Sequence, residues 1–140
     1  SQWKRHPFDL KTLAQLFGED IRQNVFALLK KCSKSGPEPA QKSREFYLIC
    51  LQDHQIINAL QRDRSLTLLP LLAYVLTHEL VHIVRFCKFE ERFDVQEKTR
   101  RSEEEHIVHR TTYEILKELP LANLSRIFRY YMPAIDAISL

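Results

Sequence analysis

A chain of 140 residues, 44% apolar and 28% charged, is sized for one domain with one core and is too apolar for a disordered tail. Its net charge of +3, with acids and bases interleaved, is too mild to point to nucleic acid or an anionic membrane. Cys32, Cys50 and Cys87 are odd in number and lack Cys-x-x-Cys spacing, which argues against a disulfide framework and a thiolate zinc site and for reduced thiols in a cytoplasmic protein. The longest apolar run, around Leu66–Leu76, is short of a membrane span. The opening Ser1-Gln2-Trp3, without an initiator Met, is what a trimmed chain or a fragment would show.

Only Gly18 and Gly36 are glycines, so the composition leans helical. Phe8 to about Lys34 reads as one helix or two broken at Gly18, with Asp9 as a cap. Leu10, Leu13, Leu16, Phe17, Ile21, Val25, Leu28 and Leu29 recur at three and four. Ser33–Pro39 is a break. Ser43 to about Gln61 carries a helical stripe of Phe46, Ile49, Cys50, Ile57 and Leu60, although Glu45–Leu51 alone also fits a buried strand. Ser65 or Thr67 caps the next helix, with Pro70 in its first turn, and the helix runs to about Phe89. It is apolar nearly all round from Leu71 to Leu76, the mark of a central, buried helix. A loop over Phe93–Thr99 precedes a helix from Ser102 to Leu119, ended by Pro120. A short helix over Leu124–Tyr131 precedes Pro133. These elements predict one all-α domain over residues 1–140, a bundle of five or so helices. The alternative is an α+β fold with a small sheet that includes Glu45–Leu51.

Chemistry concentrates in His78-Glu79-Leu80-Val81-His82, on the most apolar helix. Residues four apart project about 40° apart around a helix, so the two imidazoles share a face and can bind one zinc ion, or another divalent transition metal. Glu79, on the flank, is placed to reach a metal-bound water as general base. Ionisable side chains on so apolar a helix are costly unless paired or metal-bound, which favours a ligand role over an incidental pattern.

The stretch Val75-Leu76-Thr77-His78-Glu79-Leu80-Val81-His82-Ile83-Val84 resembles the zincin metallopeptidases. Uncharged residues lie between the ligands, and hydrophobic residues follow the second His. The glycine and third His of metzincins are absent, so the resemblance is to gluzincins, over about Leu68–Leu119. It implies a third ligand, a Glu, on a later helix.

Glu103-Glu104-Glu105-His106-Ile107-Val108-His109 holds the candidates. The expected buried stripe of Val108, Thr111, Thr112, Ile115, Leu116 and Leu119 has Glu104 and Glu105 flanking its centre on opposite sides. His109 is at its edge, and Glu103 and His106 point outward. Glu105 followed four residues on by His109 mimics the thermolysin-type pattern of a ligand Glu and a polar partner, with His in place of the family's Asp. Glu105 is the first choice, with Glu104 and His109 as alternatives. Ser102-x-x-Glu105 also reads as a capping box. A di-iron reading of Glu79-x-x-His82 with Glu103-x-x-His106 fails on phase.

His54, Asp53 and His6 read as solvated. Tyr47, Tyr113, Tyr130 and Tyr131 read as packing aromatics, and Lys30-Lys31 and Arg100-Arg101 as solvated faces. The expected function is a zinc-dependent hydrolase acting on a peptide or protein, with Glu79 as general base and one zinc per chain. The alternative is a non-catalytic metal-binding helical domain with a structural, sensing or interaction role.

Overall fold

The computed structural model describes residues 8–34, 44–88, 98–121, 124–130 and 136–139. In chain order it has β1 (Phe8–Lys11), two short 3-10 turns (Leu13–Gln15 and Gly18–Asp20), β2 (Ala27–Lys34) and β3 (Arg44–Leu51). Then come α1 (Asp53–Arg62), α2 (Leu68–Cys87), α3 (Lys98–Leu116), α4 (Leu124–Tyr130) and β4 (Asp136–Ser139). The strands form one mixed sheet in the order β1-β3-β2-β4. β2 and β3 are antiparallel, with Leu29 opposite Ile49, while β1 runs parallel to β3 and β4 parallel to β2.

The sheet overturns the expected all-α bundle. Phe8–Lys34, read as helix, is β1, two turns and β2. Its three-and-four spacing draws on residues of separate elements. The contiguous run Phe26-Ala27-Leu28-Leu29 is buried because β2 is an inner strand covered on both faces. Asn24 holds φ at 65°, a left-handed conformation that no helix continues through, and turns the chain into β2. Asp9 caps nothing; its carboxylate accepts a hydrogen bond from the Leu10 amide at 2.8 Å within β1.

Ser43–Gln61 divides at Gln52 into β3 and α1. The buried Gln52 side chain accepts from the Arg22 amide at 2.7 Å and donates to the carbonyls of Asp20 and Cys50 at 2.9 and 3.2 Å. It thereby ties the amino-terminal turns to the strand–helix junction.

Alternation along the strands sorts side chains onto two faces. Ala27, Leu29, Tyr47, Ile49 and Leu51 join the main core under the helices. Leu28, Leu48 and Cys50 form a smaller cluster on the other face, covered by Leu16 of the turn segment and by Cys32.

Helix α2 is the spine of the helical layer. Thr67 is its N-cap residue, Pro70 lies in its first turn as expected, and Leu71, Tyr74, Val75 and Ile83 are fully buried. Each such apolar side chain contributes about 1.5–3 kcal/mol by leaving water. It packs chiefly on α3, with α4 and β2 also touching it. Asp63 organises its entry by accepting from the Ser65 amide and hydroxyl, and it also pairs with Arg126 of α4 at 3.1 Å. Helix α3 starts at Lys98, four residues before the expected Ser102, so Ser102 lies inside the helix and the Ser102–Glu105 capping box does not form. Phe89, 93–97, Tyr131 and Pro133 of the expected boundaries lie outside the described residues.

Candidate metal centre

Along α2, Tyr74, His78, His82 and Arg85 follow at spacings of four, four and three. They occupy about 80° of arc, one polar stripe on an otherwise apolar helix. Helix α3 meets this stripe with His109, Glu105 and Glu104, in that order as α2 ascends. The two helices therefore run antiparallel and join through three polar layers.

The middle layer is the candidate site. His78 and His82 are fully buried, and their Nε2 atoms lie 3.2 and 3.0 Å from Oε2 and Oε1 of Glu105, whose side chain keeps 31% of its surface exposed. One ligand atom from each residue falls within 4.8 Å of the others, and this is the one such His/Cys/Asp/Glu cluster among the described residues. Zinc–nitrogen and zinc–oxygen bonds of about 2.0–2.2 Å in a tetrahedron put donors about 3.3 Å apart. A donor set of two imidazoles and a carboxylate is one that zinc takes; here the two nitrogens lie 3.2 and 3.0 Å from different oxygens of Glu105, with one ligand atom of each residue within 4.8 Å of the others.

Ring packing orients the two histidines. His78 and His82 meet edge to face with centroids 4.9 Å apart, and His82 stacks on Phe86 at 5.6 Å. Phe86 stacks in turn on Tyr47 of β3 at 6.2 Å. Glu79 is fully buried beside them on α2.

The flanking layers account for the other candidates. Glu104 accepts a two-point hydrogen bond from Arg85, Nε to Oε1 at 2.6 Å and Nη2 to Oε2 at 2.9 Å, so its carboxylate faces the guanidinium rather than the histidines. His109 accepts from the Tyr74 hydroxyl at Nδ1 and stacks on Phe128 with centroids 3.7 Å apart. Burial, reinforced by His78, pushes the His109 imidazole down to about 4, against the raising effect of a backbone hydrogen bond at Phe128. The ring is thus neutral at ordinary pH and able to accept from tyrosine. Of the three candidates on α3, Glu105 meets the His pair, while Glu104 and His109 find other partners. Glu103 and His106 are exposed.

Arg85 and Tyr74 went unread in the sequence. The signal was available, since both continue the His78–His82 stripe at helical spacing. His54 is half-buried, with Nε2 3.1 Å from the Arg22 carbonyl, and Asp53 accepts from the Leu13 amide at 3.1 Å. Both brace the amino-terminal segment. Tyr113 packs against Phe128. His6 and Tyr131 lie outside the described residues, as do the side chains of Arg100 and Tyr130. Comparison with protein-family models, with curated proteins and with solved structures finds no match for this chain.

Proposed function

We propose that this chain is a zinc-dependent hydrolase, a small zincin-like peptidase, in which His78, His82 and Glu105 hold one metal ion and Glu79 is the general base. The observation that carries the reading is the convergence of two buried imidazole nitrogens and a partly exposed carboxylate from a second helix, with Glu79 next to His78. A bound zinc supplies Lewis acidity and brings the pKa of a water toward neutrality.

The remaining steps belong to the chain. Glu79 takes the proton of the attacking water, whose oxygen bonds to the peptide carbonyl carbon. The same carboxyl returns that proton to the amide nitrogen as the C–N bond breaks. The exposed share of Glu105 gives solvent an approach to the site from the α3 side.

The sheet edge supports the peptide reading. β1 is an edge strand, and a peptide can add to such an edge through main-chain hydrogen bonds. Its neighbour β3 reaches the candidate site through the Tyr47–Phe86–His82 ring contacts.

A second reading, a metal-binding domain without turnover and with a structural, sensing or interaction role, draws on the full burial of His78, Glu79 and His82. Glu79→Gln decides between them. This variant keeps the shape and the metal and removes the base. In the hydrolase it retains zinc and loses peptide cleavage by about 10²–10⁴-fold. Undiminished cleavage by metal-replete Glu79→Gln refutes the general-base role. A zinc-loaded wild type that cleaves nothing in a diverse peptide pool selects the second reading.

A further inference from the structure

We infer that Arg85 and Glu104 are positioning residues, and that their two-point ion pair sets the register of α3 on α2 that brings Glu105 to His78 and His82. The inference rests on the metal-site reading above and adds to it the device that aligns the site.

The pair is built like a clamp. Nε and Nη2 of one guanidinium meet both oxygens of one carboxylate at 2.6 and 2.9 Å. Two parallel bonds from a planar donor fix direction as well as distance, which a single contact does not. The side chains keep only 18% and 5% of their surface exposed, so neither charge is left to water. Separating such a pair strands a charge away from solvent, at a cost large enough to hold two helices in one alignment.

Position turns the clamp into a guide for the ligand. Glu104 immediately precedes Glu105, and Arg85 lies three residues after His82. A slip of α3 by one residue rotates its side chains by about 100° and shifts them by about 1.5 Å, enough to carry Glu105 away from both imidazoles. With Glu104 held on Arg85, the adjacent carboxylate is directed at the histidines. On the far side of the site the Tyr74–His109 hydrogen bond closes the opposite layer, so the ligand layer is bracketed on both sides.

The experiment measures zinc affinity of the full chain by competition with a chromophoric chelator, together with the visible spectrum of the cobalt-loaded protein, for wild type, Glu104→Gln, Arg85→Lys and the exposed control Glu103→Gln. All are compared at a temperature at which circular dichroism reports each as folded. Glu104→Gln is expected to bind zinc about 10–100-fold more weakly and to change the cobalt spectrum, because Glu105 no longer meets the metal at its native angle. Arg85→Lys keeps the charge but loses the fork, and is expected to weaken zinc by about tenfold. Glu103→Gln matches wild type. A pair that only stabilises the fold would lower the melting temperature and leave both metal readouts unchanged; that result overturns the inference. Should Glu104→Gln not fold, Arg85→Lys decides alone, and wild-type affinity in it overturns the inference. A wild type that binds no zinc removes the site and the inference together. A wild type that binds, with variants that bind equally, removes the inference alone.

Discussion

Glu105→Gln isolates the role of the carboxylate that closes the candidate site. Glutamine preserves the side-chain shape and leaves α3 helical, so the substitution removes a charge and a good ligand while leaving the packing in place. Apparent zinc-binding energies of about 10–16 kcal/mol for four-ligand sites assign about 3 kcal/mol to each ligand, or an affinity loss of about 100-fold. The same carboxylate also lies 3.0–3.2 Å from two fully buried imidazoles in the metal-free protein, and the glutamine amide has the size to take the same place against them. The variant should therefore lose about two decades of zinc affinity, while its melting temperature in the presence of a chelator falls by only a few degrees. Competitive zinc titration at pH 7.5, paired with thermal unfolding in chelator, measures both quantities. Zinc affinity within threefold of wild type would falsify the assignment of Glu105 as a ligand. A large drop in metal-free stability with unchanged affinity would make it a helix-packing residue instead.

Two further outcomes test the site and the sheet. His78→Ala and His82→Ala should each abolish stoichiometric zinc binding, whereas His106→Ala, on the exposed face of α3, should leave it intact; equal losses at His78 and His106 in elemental analysis would overturn the phase assignment. Burial, with the nearby Asp20 charge adding to it, pushes the Cys50 thiol up to about 11, so its proton is held more tightly in the folded chain than in the unfolded one. The stability this contributes is present below the ordinary thiol value of 9.0 and is lost as pH rises from there toward 11. Iodoacetamide at pH 8.5 should accordingly spare Cys50 in the native protein and label it in denaturant, and native labelling as fast as in denaturant, read by peptide mass mapping, would contradict its buried place in the sheet.

The helical half of the fold was legible because its elements are long and bounded by strong signals. α2 announces itself through an apolar run with Pro70 in the first turn, and α3 ends at Leu116, short of the expected Leu119 but before Pro120. The sheet was hidden for physical reasons. Leu10, Leu13, Leu16, Phe17, Ile21, Val25, Leu28 and Leu29 fall at helical spacing, yet they divide among a strand, a 3-10 turn, the segments that connect the elements and a second strand, and Phe17 and Ile21 are exposed. Their regularity has no common face behind it. The scarcity of glycine also misled, since Asn24 supplies the left-handed turn before β2 and Gln52 ends β3 through side-chain hydrogen bonds. The usable clue was Phe26–Leu29, four adjacent apolar residues, a pattern that an inner strand satisfies on both faces and an amphipathic helix does not.

The site is a different case, because phase on one helix is a sharper instrument than periodicity across several elements. His78 and His82 must share a face once α2 is helical, and Glu105 must flank the centre of the α3 stripe once Val108 and Leu116 are buried. Phase alone leaves Glu104 as good as Glu105, since both flank that centre from opposite sides. The choice between them is made by what α2 presents to each side. Arg85 continues the histidine stripe by three residues, and a guanidinium so placed claims the nearer carboxylate, leaving the next one for the imidazoles. Reading a ligand set from a helix pair therefore requires the polar stripes of both helices in register. A polar residue at three or four beyond a candidate ligand, such as Arg85 beyond His82 or Tyr74 before His78, carries as much information as the ligand itself. It names the partner that the neighbouring carboxylate or imidazole on the facing helix will take, and so narrows which residue remains to complete the site.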